Sequence, residues 1–238
     1  MAGKLDISHR ANRLLAVLAH EDFILLAADL IVVDLVQGEG VFSAGKAASH
    51  VYFPHEGVIS LVAMDAGGEA VEVATVGREG MTGIAVALGS ETMTNDAMVQ
   101  VSGRASRLEA GAFAKALTAS PALKQVILRY VLAVLTQISQ NAACNQLHAI
   151  NTRCARWLLT THDRVSGDSF VLTQEYLAMM LGVTRPSVSA AAQSLQAAGL
   201  IRYSRGLITV VDRAGLEAAA CECYRIIEDE FARLRAPI

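Results

Sequence analysis

The sequence predicts an α+β chain: an N-terminal antiparallel β-barrel, a long central helix and a C-terminal winged helix-turn-helix. Three observations carry this expectation. Residues 33–108 break into short stretches of alternating polarity, such as Val51-Tyr52-Phe53, Val58 to Met64 and Ala70 to Val76, with glycines at 38, 40, 45, 57, 67, 68, 77, 80, 83 and 89. Short, evenly spaced strands with glycine turns build sandwiches or barrels. Pro121 then opens a run free of Gly and Pro that lasts to Gly167. Finally, residues 173–210 place two short helical patterns before two short strand patterns.

The elements follow in order. Leu14, Leu15, Leu18, Phe23, Leu26 and Leu30 recur at spacings of three and four, which predicts a helix over Asn12 to Leu30. Gly67-Gly68 between two strand stretches predicts a hairpin. Helical periodicity returns at Glu109, and Pro121 suits a first helical turn, where its missing N–H needs no partner. Leu128, Val131, Leu135, Ile138, Ala142 and Asn145 follow a heptad pattern, with Ile127, Tyr130 and Val134 on an adjoining face. Such a helix can pack on its own barrel and on a partner helix, although a singly buried helix reads similarly. A second helix, Thr152 to His162, precedes the polar turn Ser166 to Ser169. The resulting division is 1–118 for the first domain, 119–150 for the helix and 151–238 for the second domain.

Composition narrows the functional classes. The chain has 238 residues, 53% apolar and 18% charged, which describes a globular protein with a generous core. Its longest apolar run, Phe23 to Ile31, is far shorter than the roughly 20 residues that cross a bilayer, and no secretory leader pattern opens the chain, so a cytoplasmic location without membrane contact is expected. Net charge is only −3, but residues 1–150 carry 10 Lys+Arg against 14 Asp+Glu, whereas residues 151–213 carry 7 Arg against 4 acids. Only the second part looks suited to phosphates. Cys144, Cys154, Cys221 and Cys223 match neither zinc-type C-x2-C spacing nor a disulfide framework; they read as reduced, partly buried thiols, with no metal and no cofactor expected and a redox role as the alternative. No nucleophile elbow, phosphate loop or paired carboxylates point to an enzyme.

The window Thr173 to Leu195 carries the chemistry. Thr173 caps a short helix with an apolar face of Leu177, Ala178 and Leu181, and Gly182 permits a tight turn. Thr184 caps a second helix with Pro186 in its first turn and Val188, Ala192 and Leu195 inside. Its outer face offers Arg185, Ser187, Ser189 and Gln193, and Gln174 lies beside it on the first helix. A helix reading the major groove needs short donors near phosphates and a planar donor fork for guanine, and Arg185 is the one candidate fork. Ile201 to Val210 forms a wing around Arg205-Gly206, where Arg202 and Arg205 can meet backbone phosphates.

At this point the sequence resembles the Crp/Fnr family. Val51-Tyr-Phe-Pro-His-Glu-Gly-Val-Ile-Ser60 is similar to a strand-turn-strand of its sensor domain, and Val76-Gly-Arg-Glu-Gly-Met-Thr-Gly83 to the approach to its ligand cassette. Thr184-Arg-Pro-Ser-Val-Ser189 resembles the start of its recognition helix, and Gly199-Leu-Ile201 the approach to its wing. The resemblance implies a cyclic-nucleotide-binding-like jelly roll as sensor domain, a homodimer formed through the central helix, palindromic double-stranded DNA as target and contact with RNA polymerase. Its effector pocket would fall on Gly83, Ile84, Thr94, Asn95 and Asp96. Family members that bind cyclic nucleotides place a Glu and an Arg-Ser pair there, whereas this chain has Ile84 and Asn95-Asp96, so no cAMP response is expected. The effector is left open, whether small and weakly polar or absent, with thiol oxidation as another signal. No cysteine precedes Cys144, unlike the iron–sulfur branch, and His20, His50, His55 and His148 keep a haem alternative open. Ala190 stands where some members carry a second Arg, so DNA preference should differ. The alternative function is a ligand- or protein-binding sensor whose helix-turn-helix no longer binds DNA.

Overall fold

The computed structural model describes residues 8–234. The N-terminal helical pattern divides in two, α1 (Arg13–Ala16) and α2 (His20–Ala27), instead of forming one helix to Leu30. Asn12 caps α1 by accepting from the Leu15 N–H, while its amide donates to the carbonyls of Pro54 and Gly80, both at 2.8 Å. Arg10 takes the carbonyls of Ala16 and Leu18, which ends the first helix.

The sheet comprises β1 (Ile31–Leu35), β2 (Gly40–Phe42), β3 (His50–Met64), β4 (Ala70–Val76) and β5 (Asp96–Glu109), with the short helix α3 (Ile84–Ala87) before β5. Its order is β1-β5-β3-β4, with β2 also on β5, so the sheet is open and not the closed barrel that its texture suggests. Two stretches that read as separate strands merge into the 15-residue β3, paired antiparallel with β5 from His50↔Glu109 to Val62↔Asp96. Bulges between Pro54 and Ile59 make this continuity possible. Gly57, at φ +86°, sits among them, and a Cβ there would lie 2.6 Å from the Val101 carbonyl oxygen. The Gly67-Gly68 hairpin joins β3 to β4 as expected.

α4 (Ala110–Ala119) and α5 (Pro121–Leu147) follow, and Ser120 caps α5 by accepting from the Leu123 N–H at 2.9 Å while donating to Asp22. The inner face of α5, with Leu123, Ile127, Tyr130 and Val134, packs on the sheet core, and the Tyr130 hydroxyl donates to the Met81 carbonyl at 2.7 Å. With 27 residues and a mean hydropathy of 1.2 over its most apolar window, α5 is long and apolar enough to cross a membrane by length and composition, a property that core helices share. Of the heptad residues, Val131 is buried in this chain and Ile138 packs against its core, because both face inward; Leu128 and Leu135 are exposed, as is Leu132, which the heptad reading omits.

The second domain contains α6 (Ile150–His162), β6 (Ser169–Val171), α7 (Gln174–Leu181), α8 (Arg185–Ala197), β7 (Ile201–Ser204), β8 (Leu207–Val210), α9 (Arg213–Ala219) and α10 (Cys223–Arg233). β6 adds a third strand to the expected two-stranded wing, in the order β6-β8-β7. The domains are joined by buried contacts. Val58 and Val62 of β3 belong to the apolar core of the second domain, alongside Leu158, Leu177 and Leu181. Beside them, Trp157 donates from its indole nitrogen to Glu72 at 2.7 Å, Ser60 donates to Glu72 at 2.6 Å, and Gln100 donates to Thr161 at 3.1 Å.

Candidate functional site

The face expected to read DNA is built from α7, α8 and the wing. Thr173 accepts from the Tyr176 N–H and starts α7; Gly182, at φ +60°, closes it by donating to the Ala178 and Met179 carbonyls. α8 then buries Val188, Ala191, Ala192 and Leu195 against the domain core. That leaves Thr184, Arg185 and Gln193 exposed and Ser187 and Ser189 half-buried. Several of these side chains hold one another. Ser189 donates to the Gln174 amide oxygen at 2.6 Å, the Thr184 and Ser187 hydroxyls lie 3.0 Å apart, and Arg185 pairs with Glu175 at 2.6 Å. Both members of that ion pair are largely exposed, so the pair is worth little in water and releases the guanidinium at small cost. Arg185, Arg205, Thr173 and Gln174 line one surface recess with Glu175, Tyr203 and Gly206. Arg205 occupies the left-handed region at φ +52° and Gly206 follows at φ +78°, the backbone of a two-residue hairpin turn. Arg202 and Arg205 are both exposed on this wing.

The basic excess of this domain is spent differently from the sequence expectation. Arg153, Arg156 and Arg164 are buried, and Arg213 pairs with Asp163 at 2.7 Å and Glu217 at 2.8 Å. Only Arg185, Arg202 and Arg205 of the seven stand exposed, and they stand on the α8 and wing face. A net-charge count cannot separate internal from external arginines.

In the first domain, Gly83 precedes α3 at φ +84°, and a Cβ there would strike Val51 at 2.8 Å. Ile84 opens α3 and packs against the sheet core. Thr94 donates to Asn95 at 3.1 Å, and the Asp96 carboxylate accepts from the Ala44 N–H at 3.2 Å. His20 stands exposed at the start of α2, and the other candidate histidines are already engaged. His9 and His55 both bond Ser106, at 2.6 and 2.7 Å, and burial lowers the His55 pKa to about 4. His50 bonds Ser49, and His148 meets Cys223 and Glu222.

The cysteines depart most from their linear spacing. All four are free and buried, and Cys154 sits in the second-domain core, where burial pushes its thiol up to about 12. The other three converge. The ligand atoms of Cys144, His148, Cys221 and Cys223 all lie within 4.8 Å of one another, with Cys144 Sγ 3.5 Å from Cys221 Sγ and Cys223 Sγ 3.7 Å from His148 Nδ1. A hydrogen bond from Cys221 and the charge of Arg156 hold the Cys144 thiol below its ordinary range. The local signals are an i, i+4 Cys/His pair at the end of α5 and a C-x-C pair opening α10; the fold alone joins them.

Residues 32–120 match the model of a cyclic nucleotide-binding domain and residues 152–219 that of a Crp-like helix-turn-helix domain, together about two-thirds of the chain. Solved structures of similar fold include a chain described as a regulator of the Crp/Fnr family from Eubacterium rectale, with 16% identity over 88% of this chain and 98% of that one at a TM-score of 0.68. FixK2 from Bradyrhizobium japonicum is 14% identical over 81% of this chain and 98% of its own, at a TM-score of 0.65. A transcriptional regulator of the CRP family from Thermus thermophilus is 22% identical over 79% of this chain and 96% of its own, also at 0.65. At these identities the likeness is one of fold. No curated protein matches the chain.

Proposed function

Because the chain belongs to the Crp/Fnr family of transcription regulators, we propose that it binds palindromic promoter DNA as a homodimer, reading bases through Arg185 and responding to a signal other than cAMP. The observation that carries this reading is the outer face of α8, where Arg185 stands exposed among Thr184, Ser187, Ser189 and Gln193, flanked by the wing arginines. The hydroxyls and Thr173 suit phosphate contacts, Arg202 and Arg205 position the wing, and Arg185 supplies the fork for guanine O6 and N7.

The dimer is supported by α5, whose outward stripe of Leu128 (44% exposed), Leu132 (55%) and Leu135 (53%) continues to exposed Ala142. Leucines repeating in this way on a surface suit a coiled-coil seam. Asn145 takes another role in this chain, accepting from Arg153 at 2.9 Å. The protein acts without catalysis, in the cytoplasm, by contact with RNA polymerase; the domain limits 1–118, 119–150 and 151–238 remain the working division.

Arg185→Ala will reduce discrimination between a specific palindrome and random DNA by about 1–3 kcal/mol, roughly 5- to 150-fold, while nonspecific binding changes far less. Anisotropy titrations on both duplexes measure it, with two chains bound per palindrome. An equal loss on every sequence would assign Arg185 to a phosphate, and no sequence preference in the unaltered chain would sink the DNA-binding reading in favour of a sensor alone.

The second expectation concerns cAMP. Ile84 offers no hydrogen bond to a ribose, and the Asp96 carboxylate, fixed on the Ala44 N–H, repels a cyclic phosphate. Calorimetric titration of the full chain with cAMP should give no heat of binding, and micromolar affinity would refute this part of the proposal.

A further inference from the structure

We propose that Cys144, His148, Cys221 and Cys223 form a tetrahedral zinc site that fastens the last helix, α10, to the end of the long helix α5. The inference is independent of any DNA-binding role.

The geometry suits zinc. Zinc binds thiolate at about 2.3 Å and imidazole at about 2.0–2.1 Å, so a tetrahedral ion sets its sulfurs about 3.8 Å apart and sulfur from nitrogen about 3.5 Å. Here Cys144 and Cys221 are 3.5 Å apart, Cys223 and His148 3.7 Å, and no pair in the set exceeds 4.8 Å. The four donor atoms lie close enough together for one ion to draw them into its shell. An iron–sulfur cluster, which interposes several irons and sulfides between its thiolates, needs a wider cage.

The surrounding shell also suits zinc. His148 turns Nδ1 toward the sulfurs and Nε2 toward the Glu222 carboxylate at 3.3 Å, the carboxylate–histidine–metal arrangement that fixes tautomer and ring orientation. So does the local charge. Arg153 and Arg156 are buried beside the cysteines, and the Nε of each has no acceptor among the described residues. Arg156 also faces the Glu72 carboxyl, whereas Arg153 pairs with no carboxylate among the described residues; zinc with three thiolates and a neutral imidazole carries a net charge of −1, which suits that surplus of buried positive charge. Cys144, Cys221 and Cys223 form a small buried cluster of their own, apart from both larger apolar cores.

Four protein donors leave zinc no open position, so the site is structural. Binding releases the thiol protons and joins residues 77 positions apart. It also reaches the helix-turn-helix, because Arg153 donates both to Asn145 on α5 and to the Leu181 carbonyl that ends α7.

The test uses the full-length chain, purified under reducing conditions without chelator. Metal analysis should find one zinc per chain, and exchange with Co2+ should produce the intense visible bands and near-ultraviolet thiolate charge-transfer bands of tetrahedral cobalt. The Cys221→Ser/Cys223→Ser double variant should lose the zinc, whereas His148→Cys should retain it with shifted cobalt bands. The proposal is overturned if the unaltered chain holds no zinc and leaves cobalt pale and octahedral. It is equally overturned by iron with sulfide, by a Cys144–Cys221 disulfide in place of two thiols, or by zinc that survives the double substitution.

Discussion

Replacing Arg164 with Met will lower the free energy of unfolding by about 3–5 kcal/mol, because it strands a carboxylate that the protein interior cannot solvate. Arg164 is 2% exposed; its Nε donates to Glu79 at 2.9 Å and its Nη1 to the Thr160 carbonyl at 2.7 Å. Glu79 is itself nearly buried and accepts from the Gly77 N–H at 3.0 Å. The arginine stem fills the space over Gly77, where a Cβ would lie 2.5 Å from it, so the pair ties the loop after β4 to the end of α6. Urea unfolding measures the loss, and adding Glu79→Gln to Arg164→Met should recover much of it, since the unpaired charge carries the penalty. A loss below about 1 kcal/mol would show that the pair is solvated and contributes little.

Stability will also fall as pH rises from the ordinary carboxyl value of 4.5 to about 7, by about 3 kcal/mol in total, and Glu72→Gln will flatten that dependence. Burial raises the Glu72 carboxyl from its ordinary 4.5 to about 7, against the hydrogen bonds from Ser60 and Trp157 and the charges of Arg156 and Arg164, which favour the carboxylate. Tyr176 also faces this group, with a buried hydroxyl beside Ser60 and the Glu72 carboxyl. Below the unfolded value both states hold the proton, and the full contribution is present. As pH climbs through the folded value the native state must either keep a proton that the unfolded chain releases or bury a charge, so the contribution is lost. Glutamine mimics the protonated acid, still accepting from Trp157 while its amide donates toward Ser60. Thermal melts from about pH 5 to about pH 8 make the comparison. Trp157 is the chain's one tryptophan, so its emission reports the titration directly. Parallel curves for the two proteins would place the pH dependence elsewhere.

Glu72 lies on β4 and Trp157 on α6, so this titration acts on the joint between the two domains. Neither residue stands out in the sequence. A glutamate in an alternating strand reads as a solvated position, and only the docking of α6 over the sheet turns it inward.

The amino-acid sequence by itself determined the elements whose signals are local. Thr173, Gly182 and Pro186 define the two helices of the reading head through a cap, a turn and a first-turn proline that span a few residues, and the outer positions Arg185 and Gln193 follow from helical periodicity; Thr184 holds the N-cap position of α8 but makes no side-chain cap bond, because its hydroxyl is engaged with Ser187. The long helix α5 is legible for the same reason, from Pro121 at its start and a run without breakers. What tertiary structure alone decided depends on contacts between distant segments. Residue type could not reveal that Arg153, Arg156 and Arg164 turn inward while Arg185, Arg202 and Arg205 face out. The β3 and β5 strands close across bulges into an open sheet, which alternation over a few residues does not encode. Val131 joined this chain's core while Leu132 joined the exposed stripe, because the rotation of α5 about its axis is set by what it packs against. Cys144 and His148 met Cys221 and Cys223 for a like reason: their spacing along the chain is silent, and only the return of α10 against α5 brings four ligand atoms together.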